Sequence, residues 1–226
     1  MQKTDVLKSI EYYCTKETNN ICPFTHEKCK KVGRADLGVC SLYHNGNHQI
    51  ICPNLFSKIN FAKLVAKRII GTDNVDFLKE FKAGNNFIDY IVVDKDNPSN
   101  YFGLEIQALD TSGNYRWLFG NKVKPFCINW KTTKKTIVSQ LISKAQIFKK
   151  AKKHLVLLIQ DTFLNYLEAD KYRFSPNKLI HICSLKYDGN KFVYYSFHSL
   201  NVTELNSLLI ESEFDLNKAV VEKFTK

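Results

Sequence analysis

Residues 87–110, FIDYIVVDKDNPSNYFGLEIQALD, hold two apolar runs joined by the turn signal DKDNPSN. The runs are expected to form paired strands over residues 87–94 and 101 to about 109. Side chains alternate along a strand. Asp89 is therefore expected on the face of Phe87, Ile91 and Val93, and Glu105 and Gln107 together on one face, opposite Phe102, Leu104, Ile106 and Ala108. An acid set among so many apolar neighbours is costly to bury unless a cation or a hydrogen-bond partner meets it. A tight turn would bring Asp89 near Glu105, where two carboxylates repel unless something positive lies between them. Mg²⁺ suits that position, because it takes hard oxygen ligands and keeps several waters. Such a site can activate a water and neutralise the charge that builds on a phosphate during hydrolysis. Gln107 would then orient the attacking water or a phosphate oxygen. The plainer alternative is an edge hairpin with an exposed polar face.

The rest of the chain supports a polyanionic partner. Its 226 residues carry a net charge of +11, and 44% of them are hydrophobic, enough for one core. Residues 131–153 contain eight lysines and no acid. Val138, Leu141, Ile142, Ala145 and Phe148 form an apolar stripe at helical spacing, with Thr136, Gln140, Ser143 and Lys144 read as lying away from it. Lys131, Lys134, Lys135 and Lys144 are candidate DNA contacts, giving affinity through phosphates rather than base reading. The alternative is a solvated helix face. Tyr115, Arg116, Trp117 and Trp130 belong to an aromatic loop that would either approach DNA or pack.

Beyond these segments, residues 4–16 read as a short helix, and INFAKLVAKRII as an amphipathic helix ended by Gly71. VDFLKEFKA is ambiguous between helix and strand, HLVLLIQD is a strand, TFLNYLEA a helix, and KLIHICSLKY and KFVYYSFHSL a strand pair around DGN. The mixture predicts an α/β fold with a mixed central sheet flanked by helices. Residues 1–58 are assigned to an N-terminal helix and cysteine segment, and residues 59–226 to the main domain. No apolar run reaches the roughly 20 residues needed to cross a bilayer, and no signal-peptide stretch opens the chain. A cytoplasmic protein with reduced thiols and no membrane partner is expected.

Cys22, Cys29, Cys40 and Cys52 fall within a segment too poor in apolar residues to hold itself by burial. Four thiolates in a tetrahedral arrangement suit iron or zinc. His26, His44 and His48 lie in the same segment, as a replacement ligand or as ordinary polar surface. Cys14, Cys127 and Cys183 are isolated, and Cys127 and Cys183 read as buried thiols.

Asp89 followed by Glu105-Ile106-Gln107 resembles the PD-(D/E)XK nuclease signature, with Gln in place of the usual Lys. GNNFIDYIVV with LEIQALDTSG, INWKTTKKTIVSQLISKAQIF, LVLLIQDTF and the cysteine segment resemble the NotI family of restriction endonucleases over most of residues 20–165. In that family's E-x-Q variant a Gln at this position is expected, and an upstream Glu belongs to the pattern, for which Glu80 is the candidate. The resemblance implies a PD-(D/E)XK core and a four-cysteine site holding a single iron, with a structural and DNA-recognition role. It also implies a prokaryotic host with a matching DNA methyltransferase. The expected activity is Mg²⁺-dependent double-strand cleavage of DNA at a short palindromic sequence by a homodimer. The alternative is a non-catalytic DNA-binding protein built on a metal-stabilised module. Acids beside phosphate would repel DNA in a pure binder, which favours the nuclease.

Overall fold

A computed structural model describes residues 10–15, 21, 22, 26–28, 37–44, 46–58, 61–109, 111, 112, 127–189 and 191–209. Its first described element is a strand over residues 10–15, within the stretch 4–16 read as a helix. β1 (Ile10–Thr15) pairs antiparallel with β2 (Leu37–His44), and β2 with β3 (Asn47–Ile50). IEYYCT is rich in β-branched and aromatic residues, and a partner strand outweighs its weak helical periodicity. A 3-10 helix (Pro53–Lys58) leads to α1 (Phe61–Ile69), which stops before Gly71. Gly71 has φ +82, a left-handed conformation that side chains resist.

The ambiguous VDFLKEFKA is β4 (Val75–Ala83), followed by β5 (Asn86–Asp94) and β6 (Tyr101–Ile106) in an antiparallel meander. β7 (Thr111–Ser112) and β8 (Cys127–Ile128) form a small ribbon. Helix α2 (Trp130–Ala151) then returns the chain to β9 (His154–Gln160), and α3 (Asp161–Leu167) leads on to β10 (Ile180–Tyr187). β11 (Phe192–Leu200) and α4 (Val202–Ser207) follow. The six-stranded sheet runs β11-β10-β9-β6-β5-β4, with β6, β9 and β10 parallel and the outer pairs antiparallel. Parallel strands need crossover helices, and these cover the central strands, so HLVLLIQ is buried from Leu155 onward. No helix among the described residues is long and apolar enough to cross a membrane.

One face packs Leu155, Leu157 and Ile159 against Val138, Leu141 and Phe148 of α2. The other packs Phe102, Leu104, Val156 and Leu158 against Phe56, Phe61 and Val65. Residues before position 58 share both clusters, Ile51 in the first and Ile50, Leu55 and Phe56 in the second. β3 is fastened across the ends of β6 and β9: Ile50 N donates to Gln160 Oε1 at 2.8 Å, and Leu109 N to Ile50 O at 2.9 Å. Gly103 on β6 lies directly under the Phe148 ring, where an added Cβ would sit 2.3 Å from Cζ. Gly103→Ala is expected to destabilise by about 1–3 kcal/mol through overpacking, as a denaturant titration would read.

At the opposite end of the sheet from the two acids, Ser199 Oγ meets His181 Nδ1 at 2.8 Å, and His181 Nε2 meets His154 Nδ1 at 2.9 Å. Burial holds both imidazoles below their ordinary value, His181 down to about 3. The unfolded chain then binds more protons below pH ~6.5, so the stability this neutral pair provides is present above that pH and lost as pH falls. The expected loss is at most about 1.4 kcal/mol per pH unit from His181. A His181→Gln variant should show a shallower acid dependence in melts between pH 7 and 4.

Candidate active site

The β5–β6 ladder runs from Val93 opposite Tyr101 to Tyr90 opposite Leu104 and stops there. One further step in the same register sets Asp89 beside Glu105. Instead of a backbone ladder bond, Asp89 Oδ2 accepts from Ile106 N at 2.8 Å. β6 stays bound to β9, with Glu105 opposite Leu157, Ile106 opposite Leu158, and Gln107 N donating to Leu158 O at 2.9 Å. The two carboxylates therefore stand at a fork where β5 peels away from β6.

The fork has a backbone cause. Ile88 and Ile91 pack into the same cluster although three residues apart, so the alternation of faces reverses around Asp89. Phe87, expected on the face of Asp89, Ile91 and Val93, is 59% exposed, and Ile88 is the buried residue. Opposite the reversal on β4, Glu80 takes φ +48, a left-handed conformation costing a non-glycine residue about 1–2 kcal/mol. Strain of this kind concentrates at functional sites. Glu80 itself is exposed. Its charge reaches Tyr90, whose hydroxyl is pushed up by burial and then by Asp89, Glu80 and Glu27. Among the described residues no group of three or more His, Cys, Asp or Glu side chains gathers, so Glu80 is not drawn into a cluster with Asp89 and Glu105.

Glu105 is buried at 8% exposure, and its partner is Lys144, with Nζ 2.5 Å from Oε2. Lys144 is thus no exposed phosphate contact, correcting the sequence expectation. Ile137, Leu141, Lys144 and Phe148 follow one another at spacings of four, three and four, so Lys144 lies on the apolar stripe of α2 and points at the sheet. Burial pushes the Glu105 carboxyl up to about 7; the Lys144 hydrogen bond opposes that shift, and the Asp89 charge adds to it. Glu105 Oε1 is buried with no hydrogen-bond partner. Gln107 lines the same small cleft as Glu105, Gln140 and Lys144, its Nε2 donating to Ala108 O at 2.6 Å.

Lys131 and Lys135 are exposed on α2, and Lys134 lies 5.9 Å from the centre of the Tyr166 ring. Trp130 packs, stacked on Phe163 and tilted against Tyr166. Tyr115, Arg116 and Trp117 lie outside the described residues. In the cysteine segment Cys22, Cys40 and Cys52 are buried, and Cys29 lies outside the described residues. Backbone bonds draw two of them together, Ile51 N and Cys52 N both donating to Cys40 O. Cys22 O accepts from His26 N at 3.0 Å, and Asn54 Nδ2 approaches Cys22 Sγ at 4.0 Å. The ring of His48 packs against those of Tyr43 and Tyr187, while His26 is exposed and His44 belongs to β2. Cys14 falls on β1 and Cys127 on β8. Cys183 is buried as expected, its thiol pushed up by desolvation.

No protein-family model matches this sequence, and no curated protein is similar to it.

Proposed function

We propose that this chain is a Mg²⁺-dependent deoxyribonuclease of the type II restriction kind, with a NotI-like PD-(D/E)XK site in which Asp89 and Glu105 hold the ion. The observation that carries the proposal is Glu105 Oε1, a buried carboxylate oxygen with no partner, at a fork where Asp89 stands one register step away. The donor set is hard oxygen, which suits Mg²⁺. When bound, the ion would supply a polarised water and positive charge for the phosphate.

The chain's own side chains do the rest. The Ile106 amide fixes the rotamer of Asp89. Lys144 holds Oε2 of Glu105 and favours its ionised form against burial. It thereby brings to the site, from a helix, the cation that the E-x-Q motif lacks on its strand. Gln107 turns one amide hydrogen to Ala108 O and keeps its carbonyl oxygen as an acceptor for a water or a nucleotide. Double-stranded DNA is the substrate that the surplus of +11 charges favours, and a homodimer would present the site to both strands. The cysteine segment is proposed to hold one iron or zinc ion.

Purified protein incubated with plasmid DNA should give discrete fragments with Mg²⁺ and none with a chelator. Retardation of the plasmid without cutting, over varied unmethylated sequences, would favour the non-catalytic binder. Elemental analysis of the same sample reads the cysteine metal.

A further inference from the structure

The cleft at Glu105 and Lys144 does not end there. Ile106, Gln107, Ile137 and Gln140 border both that space and a larger cleft of ≈ 350 Å³. The larger cleft lies between the residues that follow β6, the first turns of α2 and Ile51 with Pro53 of the N-terminal segment. Its volume falls at the low end of the roughly 300–1,000 Å³ typical of small-molecule pockets. Its described lining offers the hydroxyls of Thr132, Thr133 and Thr136, two glutamine amides and aliphatic walls, and no charged side chain.

Thr133 is 4% exposed, and its hydroxyl oxygen has no hydrogen-bond partner. Ser41 Oγ, Glu105 Oε1 and Thr133 Oγ1 are the buried side-chain atoms in that condition among the described residues, and the last two belong to the linings of the joined clefts. Buried polar atoms are nearly always satisfied, so unpartnered ones at a cleft point to a ligand. A phosphate would call for Arg or Lys, which the described lining of the larger cleft does not offer. An uncharged planar ring, polar at its edge and apolar on its faces, matches threonine hydroxyls and amides over Ile51, Pro53 and Ile137.

We infer that the larger cleft beside α2 takes the base of one nucleotide, drawn out of the helical stack, while that nucleotide's phosphate stays outside the cleft at the ion site of Asp89 and Glu105. This rests on the DNA-cleaving role proposed above for the carboxylates. A base still stacked in a duplex cannot enter a cleft, so the preferred substrate is one with a base unpaired or easily extruded.

The test reads binding of the full-length chain, with Ca²⁺ in place of Mg²⁺, to a short duplex carrying one unpaired 2-aminopurine and to its fully paired counterpart. The bulged duplex should bind about tenfold or more tighter, with a rise in fluorescence as the base leaves the stack. Thr136 is exposed, so Thr136→Phe fills the cleft without disturbing the core. This variant should abolish the preference and leave affinity for the paired duplex unchanged, and Thr133→Val should weaken the preference. Equal affinities in the unaltered protein, or a preference that survives Thr136→Phe, would overturn the inference. If plasmid cleavage is seen without the preference, the inference falls and the nuclease stands. If the preference is seen without cleavage, the base site stands and the nuclease falls. Failure to bind either duplex overturns both.

Discussion

Lys144→Met is expected to destabilise the protein by about 3–5 kcal/mol at pH 8, because removing one partner of a buried ion pair strands the other. For a chain of this size that corresponds to a fall of roughly 10 °C in Tm. Lys144 and Glu105 side chains are 10% and 11% exposed, so solvent screens the pair little. The loss should shrink at pH 5, where Glu105 without its counter-ion takes up a proton and becomes neutral. Combining Lys144→Met with Glu105→Gln should restore most of the stability, since no buried charge remains. Thermal melts in chelator at the two pH values measure all of this. A loss independent of pH, or two effects that simply add, would mean that the pair is not coupled as described.

Glu105→Gln should remove Mg²⁺-dependent cleavage on the order of 10³-fold or more, as expected for losing several kcal/mol of charge stabilisation. The same variant leaves the Lys144 ammonium buried without its counter-ion, so it should be less stable than the unaltered protein, and its stability should no longer depend on the Glu105 proton. The Glu105 carboxyl is raised from 4.5 to about 7 in the fold. The folded state therefore binds this proton more tightly than the unfolded chain. The stability so gained is fully present below pH ~4.5 and is lost as pH rises through about 7, at about 1.4 kcal/mol per pH unit. The glutamine variant lacks that slope.

The sequence made the strand pair legible because two apolar runs flank a clear turn, and α2 because its apolar stripe from Val138 to Phe148 extends over about three turns. The α/β class followed from those elements. Lys144 was misread although its spacing from Leu141 and Phe148 placed it on the stripe; its charge outweighed its position. The reversal at Asp89 has no periodic signature, since it depends on Glu80 adopting φ +48 on the neighbouring strand. β1 was misassigned because IEYYCT is too short for its period to be decided without its partner β2. Gln160, whose side chain fastens β3 across the sheet, sits at the end of an apolar strand and gave no sign of a partner 110 residues away.

The central claim is that Asp89 and Glu105 share one divalent ion, and metal binding without DNA tests it most directly. Titration with Mn²⁺, followed by electron paramagnetic resonance and calorimetry, should find one site that Asp89→Asn and Glu105→Gln each remove. Near pH 6.5 binding should release close to one proton, because the ion displaces the proton Glu105 retains, and the release should fade by pH 8. No binding, or binding that survives both substitutions without proton release, would contradict it.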